Sequence, residues 1–265
     1  DLVANESFRE RFLREAKAAT SFVHKHAIQI RDFGLDDDLL YMTMDYSPGR
    51  SLHDVLRDRK ALTQTEAARV AQQTLLALKE AHAAGLIHRD LKPANIMIEE
   101  RDGDWTVRIL DFGVAKMAGE GADSTTALTR TGMVVGTLQY MSPEQSSGSP
   151  IDARSDLYSL ATILYECLSG TLPLEAENAQ QMIYKLAVEE PEPLGRRVKG
   201  VSRPLERLVM KNLAKQPARR SESAGEFLAD LQQCAGLLHD EVLVRRARSG
   251  WLLPALAGGA LLAAL

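Results

Sequence analysis

The 265-residue chain is 45% hydrophobic and 26% charged, which fits a globular protein with a sizeable core and excludes disordered and collagen-like classes. Its formal net charge of −4 supplies no general basic field, so nucleic acid is not expected as a partner. Cys167 and Cys234 are the two cysteines, too few for a disulfide framework or a thiolate zinc site, so a reducing compartment is expected and any metal must be held by oxygen. In chain order, Phe8, Phe12, Leu13 and Ala16 recur among charges at helical spacing, and an amphipathic helix is predicted over Phe8 to Thr20. Two short strands follow, Ala27 to Phe33 and Leu39 to Tyr46, with Gly34 and Asp36-Asp37-Asp38 as the turn and Ser47-Pro48-Gly49 ending the sheet. Thr63 to Ala84 is a long helix in which Thr63 caps the start, Glu66 completes a capping box and Gly85 closes the end. Further helices are expected at Asp152 to Ser169, Ala179 to Glu189, Arg203 to Ala214 and Ser223 to Leu238, so the chain reads as helix-rich and strand-poor after Gly49.

The two ends are unusual. Asp1 is no start methionine and no basic-then-apolar leader follows it, so the chain is expected to begin inside a larger one. Near the other end Arg245, Arg246 and Arg248 precede Trp251, and residues 251–265 are all apolar, Gly or Pro. That run is shorter than the roughly 20 residues a bilayer core requires. Pro254 and Gly258-Gly259 suit a membrane helix better than a buried soluble one, so the run is read as the start of a transmembrane helix.

The chemistry lies between these elements. His88-Arg89-Asp90-Leu91-Lys92-Pro93-Ala94-Asn95 matches the catalytic-loop pattern H-R-D-L-x-x-x-N, Asp111-Phe112-Gly113 matches D-F-G, and Met141-Ser142-Pro143-Glu144 stands where A-P-E is expected. Each motif alone is weak, but all three in this order are specific. The chain thereby resembles the catalytic domain of protein kinases, and the run Gly136-Thr137-Leu138-Gln139-Tyr140-Met141-Ser142-Pro143-Glu144-Gln145 resembles the bacterial receptor-like (Hanks-type) Ser/Thr kinases. The resemblance implies an α+β, two-lobed fold: residues 1–46 as part of an N-lobe with one helix and two strands, 47–239 as the C-lobe, 240–250 as a basic juxtamembrane segment and 251–265 as the membrane segment.

It also implies roles. Asp90 would accept the proton of a substrate hydroxyl, Lys92 would reach the transferred phosphate as in Ser/Thr kinases, and Asn95 with Asp111 would hold magnesium (or manganese) on the phosphates of ATP. Glu15 resembles the helix glutamate that pairs with a strand lysine, Met44 the gatekeeper, Asp45, Tyr46 and Ser47 the hinge against adenine, and Met97 the floor of that pocket. Gly119 to Thr131 has the composition of an activation loop, with Thr129 and Thr131 as phosphorylation sites, Arg89 as the cation that would grip the phosphate, and Thr137 as a Ser/Thr signature. Asp156 and the pair of Glu144 with Arg220 match positions that brace the lobe. Protein substrates, a back-to-back homodimer for autophosphorylation and a membrane are the implied partners, with the kinase domain on the cytoplasmic side because the arginines flank the apolar run there.

The resemblance is incomplete. No G-x-G-x-x-G segment and no V-A-I-K strand precede Glu15, so it covers about four-fifths of a kinase domain and the 265 residues alone are expected to be inactive. Two functions stay open, a Ser/Thr kinase and a pseudokinase that binds or scaffolds. Intact Asp90, Asn95 and Asp111 favour the first.

Overall fold

The computed structural model describes residues 20–36, 39–112 and 138–234. The predicted helix over Phe8 to Thr20, all but its last residue, and the apolar run 251–265 lie outside the described residues. Among the described residues no helix is long and apolar enough to cross a membrane.

Strands β1 (Ile30–Asp36) and β2 (Leu39–Met44) form an antiparallel pair. The first strand runs later than the sequence pattern predicts. Gly34 sits inside it opposite Tyr41, not in the turn, and the close ring explains the glycine: a Cβ there would lie 2.8 Å from the Tyr41 hydroxyl. Ala27 instead makes a single parallel bridge to Ile109, which ties this segment to the second sheet.

That second sheet was not legible in the reading of the chain as strand-poor after Gly49. Strands β3 (Arg50–Ser51), β4 (Ile96–Arg101) and β5 (Asp104–Ile109) pair antiparallel in that order. The β4–β5 connection is the two-residue turn Asp102-Gly103, with both residues at positive φ, 53° and 77°. An Asp-Gly pair between alternating runs is a strong hairpin signal, because that turn's twist matches the strands' own.

The helical part is α1 (Leu52–Arg59), α2 (Gln64–Ala83), α3 (Pro143–Ser147), α4 (Arg154–Ser169), α5 (Ala179–Val188), α6 (Leu194–Arg197), α7 (Arg203–Asn212) and a helical stretch from 224 to 234. The Thr63 hydroxyl accepts the Glu66 N–H and the Glu66 carboxylate returns to the Thr63 N–H, so the predicted capping box is present. Helix α4 is buried almost all round, from Ser155 to Leu168, which marks it as the interior helix around which the others pack. Its polar positions are matched: the Ser159 hydroxyl donates to the Tyr140 carbonyl at 2.7 Å, and Thr162 to Tyr158 at 3.1 Å.

The expected brace is a buried ion pair. Arg220 donates two parallel bonds of 2.7 Å to Glu144, stacks its guanidinium 5.0 Å from the Tyr158 ring centre, and spends its other N–H groups on the carbonyls of Ala214, Arg154 and Lys215. Burial alone would raise the Glu144 carboxyl, but Arg220 and the Ser155 hydroxyl hold it below its usual range. With the Arg220 side chain at 0% exposure, removing one partner would strand a buried charge at a cost of about 3–5 kcal/mol.

Candidate active site

Helix α2 ends at Ala83, and Gly85 turns the chain at φ 76° into the loop that carries His88, Arg89 and Asp90. One side chain of α4 holds that loop. The fully buried Asp156 accepts the backbone N–H of His88 at 2.8 Å and of Arg89 at 2.9 Å, and its carboxylate also meets His82 Nε2 at 2.8 Å. Burial pushes this carboxyl up, yet His82 and the backbone donor of His88 outweigh it and hold it ionised below the usual range. Arg89 itself stands in the left-handed region at φ 64°, a conformation an L side chain adopts only where its surroundings impose it.

Asp90, Lys92 and Asn95 come together as the motif predicts. Lys92 Nζ lies 2.7 Å from Asp90 Oδ2, and the Asn95 amide donates to the Asp90 carbonyl at 2.9 Å and to Oδ2 at 3.3 Å. A single turn of 3₁₀ helix, Pro93–Asn95, gives Asn95 this reach. Asp111 is carried beside them by β5. The Leu110 N–H donates to the Asn95 carbonyl at 2.9 Å, and the Leu110 carbonyl meets His88 Nε2 at 2.8 Å. Phe112 packs against the rings of His88 and Phe22, with centroids 5.1 Å away in each case.

Asp111 is the least comfortable residue of the site. Its backbone is left-handed at φ 55°, and its Oδ1 is buried with no hydrogen-bond partner among the described residues. Burial raises its carboxyl above the usual range, with Asp90 adding to the rise and His88 and Lys92 opposing it. A buried carboxylate oxygen without a donor among the described residues, one residue beyond the Leu110 N–H that donates to the Asn95 carbonyl, fits a hard cation that takes oxygen ligands. Among the described residues no three or more His, Cys, Asp and Glu are grouped to hold a metal. With Asn95 and Asp111 as its protein ligands, such a cation would leave room for phosphate oxygens.

Five of the residues expected at a nucleotide pocket, Met44, Asp45, Tyr46, Ser47 and Met97, are among the described residues. Met44 ends β2 at 36% exposure. The Asp45 N–H is already used, donating to the Gln29 carbonyl at 2.9 Å, while its carboxylate takes two bonds from Arg31. Tyr46 is 88% exposed, and Ser47 Oγ is buried without a partner among the described residues. Met97 is half-buried on the face of β4 opposite Ile96 and Ile98. Glu15, Thr129, Thr131 and Thr137 lie outside the described residues. Sequence reasoning missed two participants, the aromatic stack of Phe22 on Phe112 and a contact from Gln145 to the catalytic loop. The first had no periodic signal, whereas the second follows Ser142 at capping-box spacing and was open to detection.

Comparison with known proteins bears on the whole arrangement. Residues 2–230 match the family described as protein kinase domain. The serine/threonine-protein kinase pkn3 of Myxococcus xanthus is 45% identical over 235 residues, covering 87% of this chain and 43% of that protein. The serine/threonine-protein kinase PknB of Mycobacterium tuberculosis is 39% identical over 235 residues, again 87% of this chain and 37% of the relative. The chain thus spans less than half the length of these two curated relatives. Among solved structures, Rad53 1–466 in complex with AMP-PNP superposes with a TM-score of 0.68 at 25% identity, over 82% of this chain and 53% of that one. Matched over residues 2–230 and carrying the loop, the ion-pair brace and the Asp111 turn in one α+β frame, the chain belongs to the protein kinase domain family.

Proposed function

We propose that this chain is the catalytic part of a Ser/Thr protein kinase, which moves the γ-phosphate of ATP to the hydroxyl of a protein serine or threonine. The observation that carries the reading is the grouping of Asp90, Lys92 and Asn95 beside a buried Asp111 whose Oδ1 has no partner among the described residues. Asp90 takes the proton of the attacking hydroxyl, and Lys92, 2.7 Å from it, offers its ammonium to the transferred phosphate. Asn95 and Asp111 would hold the divalent cation, magnesium or manganese. When bound, that ion would neutralise the charge of the phosphates. Met44, Asp45, Tyr46, Ser47 and Met97 would form the adenine pocket, with Glu15 as the partner of a phosphate-binding lysine. Since Asp45 has spent its N–H, its carbonyl and the Ser47 backbone remain as the edge presented to the base.

Regulation falls to Thr129 and Thr131 as phosphate acceptors and Arg89 as their cation, with Thr137 as a Ser/Thr signature. Protein substrates, and a second copy of the chain for autophosphorylation, are the proposed partners. A phosphotransfer assay with labelled ATP on the full-length protein, run beside residues 1–265 alone, tests the reading. Label on serine or threonine is expected in the first sample only, because no glycine-rich run in the 265 residues can cover the phosphates. Absence of transfer by the full-length protein would remove the kinase assignment.

We also propose that residues 251–265, behind Arg245, Arg246 and Arg248, anchor the protein in a membrane with the kinase domain on the cytoplasmic side. Protease added outside sealed inverted vesicles should digest the kinase domain, and in right-side-out vesicles the domain should be protected. The reverse pattern would refute the orientation.

A further inference from the structure

Resting on the kinase reading, we propose that Gln145 is a positioning residue for the catalytic loop, coupling the segment after the activation loop to the residue that precedes the base. Its amide works at both ends. Oε1 accepts from the Ser142 N–H and hydroxyl, each at 3.1 Å, as one half of the capping box that starts α3. Nε2 donates across the fold to the Arg89 carbonyl at 2.7 Å, a shorter contact than either capping bond. The side chain is buried, so the donor has no water to fall back on.

Arg89 is the place where such a bond has the largest effect. Its N–H is fixed by Asp156 and its carbonyl by Gln145, so both sides of a left-handed residue are clamped, and the next residue is Asp90. Left-handed backbone reverts to the ordinary regions unless it is held, and a turn of the Arg89–Asp90 peptide would swing the carboxylate away from Lys92 and Asn95. An error of about an ångström in a catalytic group is enough to lose about 100-fold in rate. Gln145 follows directly on Ser142-Pro143-Glu144, so a shift in that segment reaches the base through one hydrogen bond.

Capping and positioning separate cleanly by mutation. Ser142→Ala removes the hydroxyl half of the cap and leaves the Gln145 bond to Arg89, whereas Gln145→Ala removes that bond and the carboxamide half of the cap but keeps its backbone N–H on the Ser142 hydroxyl. In the full-length protein Gln145→Ala is expected to lower kcat by about 10- to 100-fold with KM for ATP nearly unchanged, while Ser142→Ala keeps kcat near the parent value. Amide hydrogen exchange, which needs no activity, should show residues 88–90 opening faster in Gln145→Ala, with α4 unchanged. Asp90→Asn serves as the reference. Loss of activity in Asp90→Asn with full kcat and unaltered exchange in Gln145→Ala would overturn the positioning role and leave the kinase reading intact. Full activity in Asp90→Asn would instead overturn Asp90 as the base, and absence of transfer by the parent protein would overturn the kinase reading. Equal losses in Ser142→Ala and Gln145→Ala would reduce Gln145 to a helix cap.

Discussion

Asp90→Asn in the full-length protein is expected to lower kcat by about 10²- to 10⁴-fold while leaving the affinity for ATP within a factor of about two. The size of the effect follows from what the substitution changes and what it preserves. Two donors at this carboxylate, Lys92 Nζ and the Asn95 amide, meet the same oxygen, Oδ2. An asparagine can place its carbonyl oxygen there and keep both bonds, so the loop geometry survives. What is lost is the ability to take a proton, because an amide is not a base at neutral pH. Single-turnover rates together with calorimetric titration of ATP would check this. Near-normal turnover would mean that another group accepts the hydroxyl proton.

Asp111→Asn should have an effect of similar size by a different route. Asparagine tolerates left-handed backbone about as well as aspartate, so φ 55° is kept without added strain, which Asp111→Ala would not guarantee. The negative charge goes, and the protein would then offer the cation only neutral ligand oxygens. Magnesium-dependent nucleotide binding is expected to weaken by about 100-fold or more, since even partners one step removed from a metal are worth 10- to 100-fold. The rate should fall with it. In the parent protein the proton competes with the cation, and burial raises the Asp111 carboxyl, so magnesium affinity should decline on acidification earlier than for an ordinary carboxylate. Titrating magnesium at several pH values reads both effects, and an unchanged dependence in Asp111→Asn would place the cation elsewhere.

The contrast between what the sequence revealed and what it hid has a physical origin. The long helix with its Thr63–Glu66 cap was readable because helical periodicity and capping are local, and its observed span, Gln64–Ala83, lies just inside the expected one. The grouping of Asp90, Lys92 and Asn95 was readable through motifs whose order leaves little to chance. The grip of Asp156 on the loop was expected only as a brace; that it holds two backbone N–H groups 67 and 68 residues away is a tertiary fact that no local pattern encodes. The β4–β5 hairpin was missed for another reason. Its strands, Ile96–Arg101 and Asp104–Ile109, are short and lie between the two motifs, and the Asp102-Gly103 turn was the local signal that announced them.

Among the described residues Lys60, Arg89, Asp102 and Asp111 sit where glycine would rest more easily, and two of these four, Arg89 at φ 64° and Asp111 at φ 55°, belong to the candidate site. A left-handed backbone costs a residue with a Cβ about 1–2 kcal/mol that glycine does not incur. The working centre is therefore a local weakness of the fold. A search for heat-resistant variants that scores survival alone would drift towards glycine at both positions and return sturdy proteins with an idle catalytic loop. Selection for turnover has to act continuously against that drift, and the same tension makes these two positions informative in any library: glycine enriched there signals stability gained at the expense of phosphate transfer.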